Sequence, residues 1–335
     1  MTTYVLGAGA SAHAGYPVTA QLWPRLVTWV TSSPSAGWES QQAIQQILAL
    51  NGPVTNLESV LTDLVRGQEA FSALENEKRD QVKRGVREGI ADYFRSIREA
   101  NTEAHLYTSF TKLVKPGDGI ISFNYDVALE QQLIRAKKFR VRDGYGFPVN
   151  WDEPETSVKV LKLHGSVNWI ALLFGGGKGP GTFRNSLGDS PRVDNAQSDL
   201  PEYQSRVLDK SFPGGGVAQY ITLVLPAHEK RFGVSTSVRE EWVEFYRSLW
   251  SQAADSLQRS DRIVLIGYSM PSADEKARSL LLGHANKRAE VSVSCGSSNS
   301  SLAEEFHAHG FPCVTDSGRF EDYLNKHISA THAPA

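Results

Sequence analysis

Short apolar runs rich in β-branched residues recur along this chain between long helical stretches, the pattern of a parallel sheet covered by helices. Strands are expected at Thr3–Leu6, Gly119–Phe123, Val158–Leu163, Tyr220–Leu225, Arg262–Ile266, Glu290–Ser294 and Pro312–Thr315. Several are almost continuously apolar, as strands buried on both faces are. Helices are expected over 19–31, 41–50, 56–66, 73–99, 102–113, 127–136, 238–259, 272–285 and 301–309. The fold class is therefore α/β. Too much chain separates the first two strands for a simple crossover, so about 41–111 reads as a helical insert. A second insert, about 174–216, holds Gly175-Gly176-Gly177 and Gly214-Gly215-Gly216 with little periodicity between them. It reads as a flexible surface loop, or as a lid or oligomer contact. Residues 1–335 are otherwise expected to form one domain.

Composition narrows the function classes. Lys and Arg total 35 against 37 Asp and Glu, a formal charge of -2. Nothing there drives general binding to nucleic acid or anionic lipid, and neither partner is expected. The two cysteines, Cys295 and Cys313, cannot make a four-thiolate zinc site or a disulfide framework, so no metal is expected. The first residues lack a signal-peptide pattern, and no run approaches the roughly 18 apolar residues of a membrane span. A cytoplasmic setting is the expectation.

Four motifs carry chemistry, and each closes an expected strand. The first is Gly7-Ala8-Gly9-Ala10-Ser11, read as a strand-to-helix turn whose helix starts near Thr19. Glycines there let backbone N–H groups approach a pyrophosphate, although a tight turn alone would also want them. The ordinary dinucleotide fingerprint would add Gly where Ala12 stands and an acidic residue about twenty positions on, and neither is cleanly met. The second is Phe123-Asn124-Tyr125-Asp126. Ligands of open parallel sheets sit outside the C-terminal strand ends, where Asn124 could orient a ribose hydroxyl or a water. Asp126 could accept from a cofactor, or could simply cap the next helix. The third is Lys162-Leu163-His164-Gly165-Ser166, with His164 placed as a general base; alone, it would read as a structural histidine. The fourth is Gly267-Tyr268-Ser269-Met270-Pro271, where Gly267 and Ser269 could bond a ribose or phosphate.

In this order, from Gly7 to about Ser294, the four motifs together resemble the sirtuin family. The resemblance implies a Rossmann-like sheet with NAD at Gly7, Ala8, Gly9 and Ser11, further contacts from Asp126, Gly267 and Ser269, and chemistry carried by Asn124 and His164. Sirtuin deacylases also carry a four-cysteine zinc ribbon, which this chain cannot supply. Phe123-Asn124-Tyr125-Asp126, the histidine motif, and Gly267-Tyr268-Ser269-Met270-Pro271 with Asp274 look more like the zinc-free, sirtuin-like effectors of bacterial antiviral systems. Residues 56–61, Pro226 and Lys230 are weaker marks of the same branch.

That branch implies hydrolysis of NAD, as substrate, to nicotinamide and ADP-ribose. Activity would be gated by self-assembly into a homo-oligomer or by a partner, such as a HerA-type ATPase or another phage-sensing protein. The alternatives are an NAD-dependent protein deacylase and a non-catalytic sensor of NAD or ADP-ribose.

Overall fold

The strands are β1 (Thr2–Leu6), β2 (Gly119–Ser122), β3 (Lys159–Lys162), β4 (Gly165–Phe174), β5 (Ser186–Leu187), β6 (Arg192–Val193), β7 (Val217–Leu223), β8 (Arg262–Ile266), β9 (Glu290–Ser294) and β10 (Cys313–Thr315). They come from a computed structural model that describes residues 1–52, 57–100, 104–146, 158–174, 186–187, 192–193, 217–225, 240–272, 274–316 and 318–331. Asn56, Pro226, Lys230 and nearly all of the Gly-rich insert lie outside the described residues.

Two units divide the chain. The first takes Met1–Thr19, Arg98–His164 and Arg247–Ala335. Its sheet has six parallel strands in the order β10-β9-β8-β1-β2-β3. Counted within this unit alone, that is the doubly wound 3-2-1-4-5-6 order, with the switch point between β1 and β8. The unit is a Rossmann-like α/β fold. Val5, at the centre of the sheet, pairs with Ile121 on one side and Leu265 on the other. All three are fully buried, which is why these strands read as unbroken apolar runs. The end of the helix Glu240–Arg259 and the residue after it meet this sheet through hydroxyls: Thr3 Oγ1 meets Ser256 Oγ at 2.8 Å and Ser260 Oγ at 2.6 Å. Serines also enter β9, where Ser292 Oγ donates to Asp316 at 3.1 Å and so satisfies a buried polar group.

The second unit takes Ala20–Ile97 and Gly165–Tyr246. Its long helix, Asn76–Ala100, presents Val82, Val86, Ile90 and Phe94 at four-residue spacing, all buried. The helix Trp38–Asn51 crosses it at Gly85, where an added Cβ would lie 2.6 Å from Ala43 Cβ.

The second unit corrects one expectation. The run expected as a parallel strand at Tyr220–Leu225 is β7, Val217–Leu223, and it pairs antiparallel with β4, a strand the periodicity did not single out. An apolar run reports burial and not the direction of its neighbour. Smaller differences occur at helices. The helix expected over 272–285 runs from Glu275 and widens to a π-turn at Leu280–His284. The helix Phe320–Thr331 was not expected. Among the described residues no helix is long and apolar enough to cross a membrane.

Candidate functional site

The motif residues of the first unit gather at the C-terminal ends of β1, β2, β3 and β8. Gly7 N donates to Ile266 O at 3.0 Å, and Gly9 N donates to Gly267 O at 2.9 Å, so the turns after β1 and β8 are laced together at the switch point. A Cβ at Gly7 would stand 2.5 Å from Tyr268 Cα, and one at Gly9 would stand 2.9 Å from Gly267 Cα. Gly267 has φ +62°, and its own Cβ would collide with Ala10 N. Close backbone packing thus demands these glycines, whatever ligand lies beside them. The helix after Gly7 starts at once, over Ala8–Ser11, and not near Thr19 as expected; Thr19 begins the later helix Thr19–Ser32. Ala8 and Gly9 remain half-buried, and Ser269 is exposed.

β2 ends at Ser122, and Asn124 lies just beyond it, 6% exposed. Its Nδ2 donates to Ser11 Oγ at 3.0 Å, and Ser11 Oγ meets Tyr107 Oη at 2.8 Å. Tyr107 comes from the helix His105–Leu113 and is fully buried, which holds its phenol well above the usual range and protonated. The Asn124 Oδ1 is buried with no hydrogen-bond partner among the described residues. Such an acceptor is costly to leave unmet.

Asp126 is also buried, and its Oδ1 accepts at 3.1 Å from the N of Ala128, the first residue of the helix Ala128–Arg135, whose N-cap is Val127. Its carbonyl accepts from Lys162 Nζ. Lys162 Nζ in turn lies 2.8 Å from Glu130 Oε1, which also accepts from Tyr145 Oη at 3.3 Å. Burial raises the Glu130 pKa, and Lys162 opposes the rise. This buried cluster ties the end of β3 to the loop that carries Asn124.

His164 follows β3 and is 7% exposed. Its Nε2 lies 3.3 Å from Asp274 Oδ2, an oxygen that also accepts from Tyr268 Oη at 3.0 Å. Phe123, next to Asn124, stacks on Tyr268 at 4.3 Å and lies 4.9 Å from the His164 ring. The structure therefore brings Asn124 together with Ser11, and His164 together with Asp274, with Phe123 between the two groups. Sequence reasoning missed Tyr107, Glu130 and the structural part of Lys162. Glu130, a charged residue among the buried positions of Ala128–Arg135, left a faint signal; Tyr107 left none. Among the described residues no group of three or more His, Cys, Asp or Glu is placed to hold a metal ion.

No protein-family model matches the chain, and no curated protein matches it. Solved structures similar to it include a mutant Sir2 homologue in complex with 2'-O-acetyl ADP ribose, at 13% identity and TM-score 0.43, with 99% of this chain and 93% of that one covered. A structure described as the basis of sirtuin substrate affinity has 12% identity and TM-score 0.43, over 98% and 93% of the two chains. Sir2Tm bound to a propionylated peptide has 12% identity and TM-score 0.40, over 100% and 94%.

Proposed function

We propose that this chain is an NAD+ glycohydrolase that cuts NAD to nicotinamide and ADP-ribose. The observation that carries the reading is the buried, unpartnered Asn124 Oδ1 at the end of β2, on the same sheet edge as His164 after β3. NAD lies across the strand ends at the switch point, with the half-buried Ala8 and the exposed Ser269 available to its phosphates and ribose, while the Gly9 N–H is held by Gly267 O and lines the turn without donating to them. Asn124 Oδ1 accepts from a ribose hydroxyl or from the attacking water. As the nicotinamide–ribose bond breaks, its electron pair goes to the ring nitrogen and positive charge develops on the sugar. Water oxygen bonds to the anomeric carbon, and His164 takes the proton. With only two cysteines, the chain lacks the zinc ribbon of the deacylases, which favours water over an acyl-lysine as the acceptor.

Free turnover would deplete the host cell, so the activity is gated, by self-assembly or by a partner such as a HerA-type ATPase, in a role suited to antiphage defence by NAD depletion. The test is to incubate purified protein with NAD, alone and with candidate partners, and to follow nicotinamide and ADP-ribose. Asn124→Ala and His164→Ala are each expected to stay folded and to lose about 100-fold or more of nicotinamide release. Wild-type rates in both would sink the assignment. A rise in NAD consumption that requires acyl-lysine peptide would favour a deacylase, and tight binding without nicotinamide would favour a sensor.

A further inference from the structure

The hydrolase reading uses His164 but not the residue its ring touches. Asp274 is 2% exposed and directly precedes the helix Glu275–Ser279. Its main chain is fixed on both sides: Asp274 N donates to Pro271 O at 2.9 Å, and Arg278 N donates to Asp274 O at 2.9 Å. A carboxylate at that depth is costly unless donors meet it. Tyr268 Oη supplies one at 3.0 Å, and burial keeps that phenol protonated. His164 Nε2 lies 3.3 Å from the same oxygen.

Resting on the NAD-cleaving reading, we propose that Asp274 is a positioning residue: it accepts the Nε2–H of His164, so that Nδ1 carries the lone pair that removes the proton. An ionised carboxylate can only accept, so the neutral imidazole facing it must hold its single proton on Nε2. When Nδ1 takes the proton of the attacking water, an imidazolium forms beside a negative charge that stabilises it. Tyr268 holds the carboxylate from the β8 side, and Phe123 presses the ring from the β2 side. Asp274 is an ionisable group described against the ring, Tyr268 bonds that carboxylate, Arg278 acts on Tyr268, and Phe123 carries no charge.

The test reads the ring directly. In ligand-free full chain labelled with 15N-histidine, the His164 signals are assigned by their loss in His164→Gln, and their shifts give the tautomer and, on titration, the pKa. The wild type is expected to hold the Nε2–H tautomer. Asp274→Asn is expected to lower the His164 pKa by about one unit or more and to slow nicotinamide release about tenfold or more at pH 7. Tyr268→Phe, which keeps the carboxylate, is expected to retain the Nε2–H tautomer. An Nδ1–H tautomer in the wild type, or an unchanged ring in folded Asp274→Asn, overturns the proposal. If Asp274→Asn does not fold, the wild-type and Tyr268→Phe tautomers decide. The ring is read without NAD, so a wild type that never releases nicotinamide sinks the hydrolase reading and leaves this pairing to be judged separately.

Discussion

A methyl group added at Gly267 would stand 2.8 Å from Gly9 Cα, on a backbone at φ +62°. Gly310 has φ +81° with nothing within 4 Å of an added Cβ. The pair separates conformation from crowding. Gly310→Ala is expected to cost about 1 kcal/mol, and Gly267→Ala at least about 2 kcal/mol, because it also forces two turns apart; urea unfolding compares them. His13 is a second single-residue case. It packs edge-on to Tyr107 at 4.9 Å, and burial lowers its pKa from 6.5 to about 4, with His105 adding to the fall. The unfolded chain therefore binds the extra proton first as pH drops. Stability is complete above about 6.5 and falls toward pH 4, by on the order of 2 kcal/mol for this half-buried ring. His13→Phe is expected to remove that part of the acid sensitivity, measured as the difference between the two unfolding profiles. At this scale the sequence exposed Asn124 and His164 because strand-end position can be read from pattern. It could not expose the Ser11–Tyr107 contact, which joins residues 96 apart, or the Asp274 oxygen 3.3 Å from His164 Nε2.

Among elements, the six parallel strands were legible because most of their buried positions are apolar, Val5, Leu6, Ile120, Ile121 and Ile263–Ile266 above all. β4 and β7 were harder: antiparallel partners are selected by register and turn, and residues 175–216 stand between them where a hairpin would place about two to five. The Glu130–Lys162 pair shows a different kind of silence. Its members lie on a helix and a strand and are 3% and 1% exposed, yet each alone resembles a surface charge in the sequence. Lys162→Met is expected to cost about 3–5 kcal/mol, because it strands Glu130 as an unpaired buried charge and frees the Asp126 carbonyl. Adding Glu130→Gln is expected to recover part of that loss, and denaturant midpoints of single and double variants give the coupling.

The whole chain crosses between its two units at 19/20, 97/98, 164/165 and 246/247. Neither unit is a single contiguous stretch, which is why composition shifts along the sequence do not mark their limits. In the first unit, β1 sits between β2 and β8, so Thr2 pairs with Arg262 across most of the chain. A chain ending at residue 261 lacks β8 and the Gly267 turn. It is expected to leave residues 1–19 open to proteolysis that the full chain resists, and limited digestion followed by mass spectrometry checks this. On the ribosome the same geometry becomes a delay. The strand made early must wait for one made on the order of tens of seconds later, with its glycine turn unmatched meanwhile. The sheet is thus kept unfinished until β8 has been made, a consequence of strand order alone.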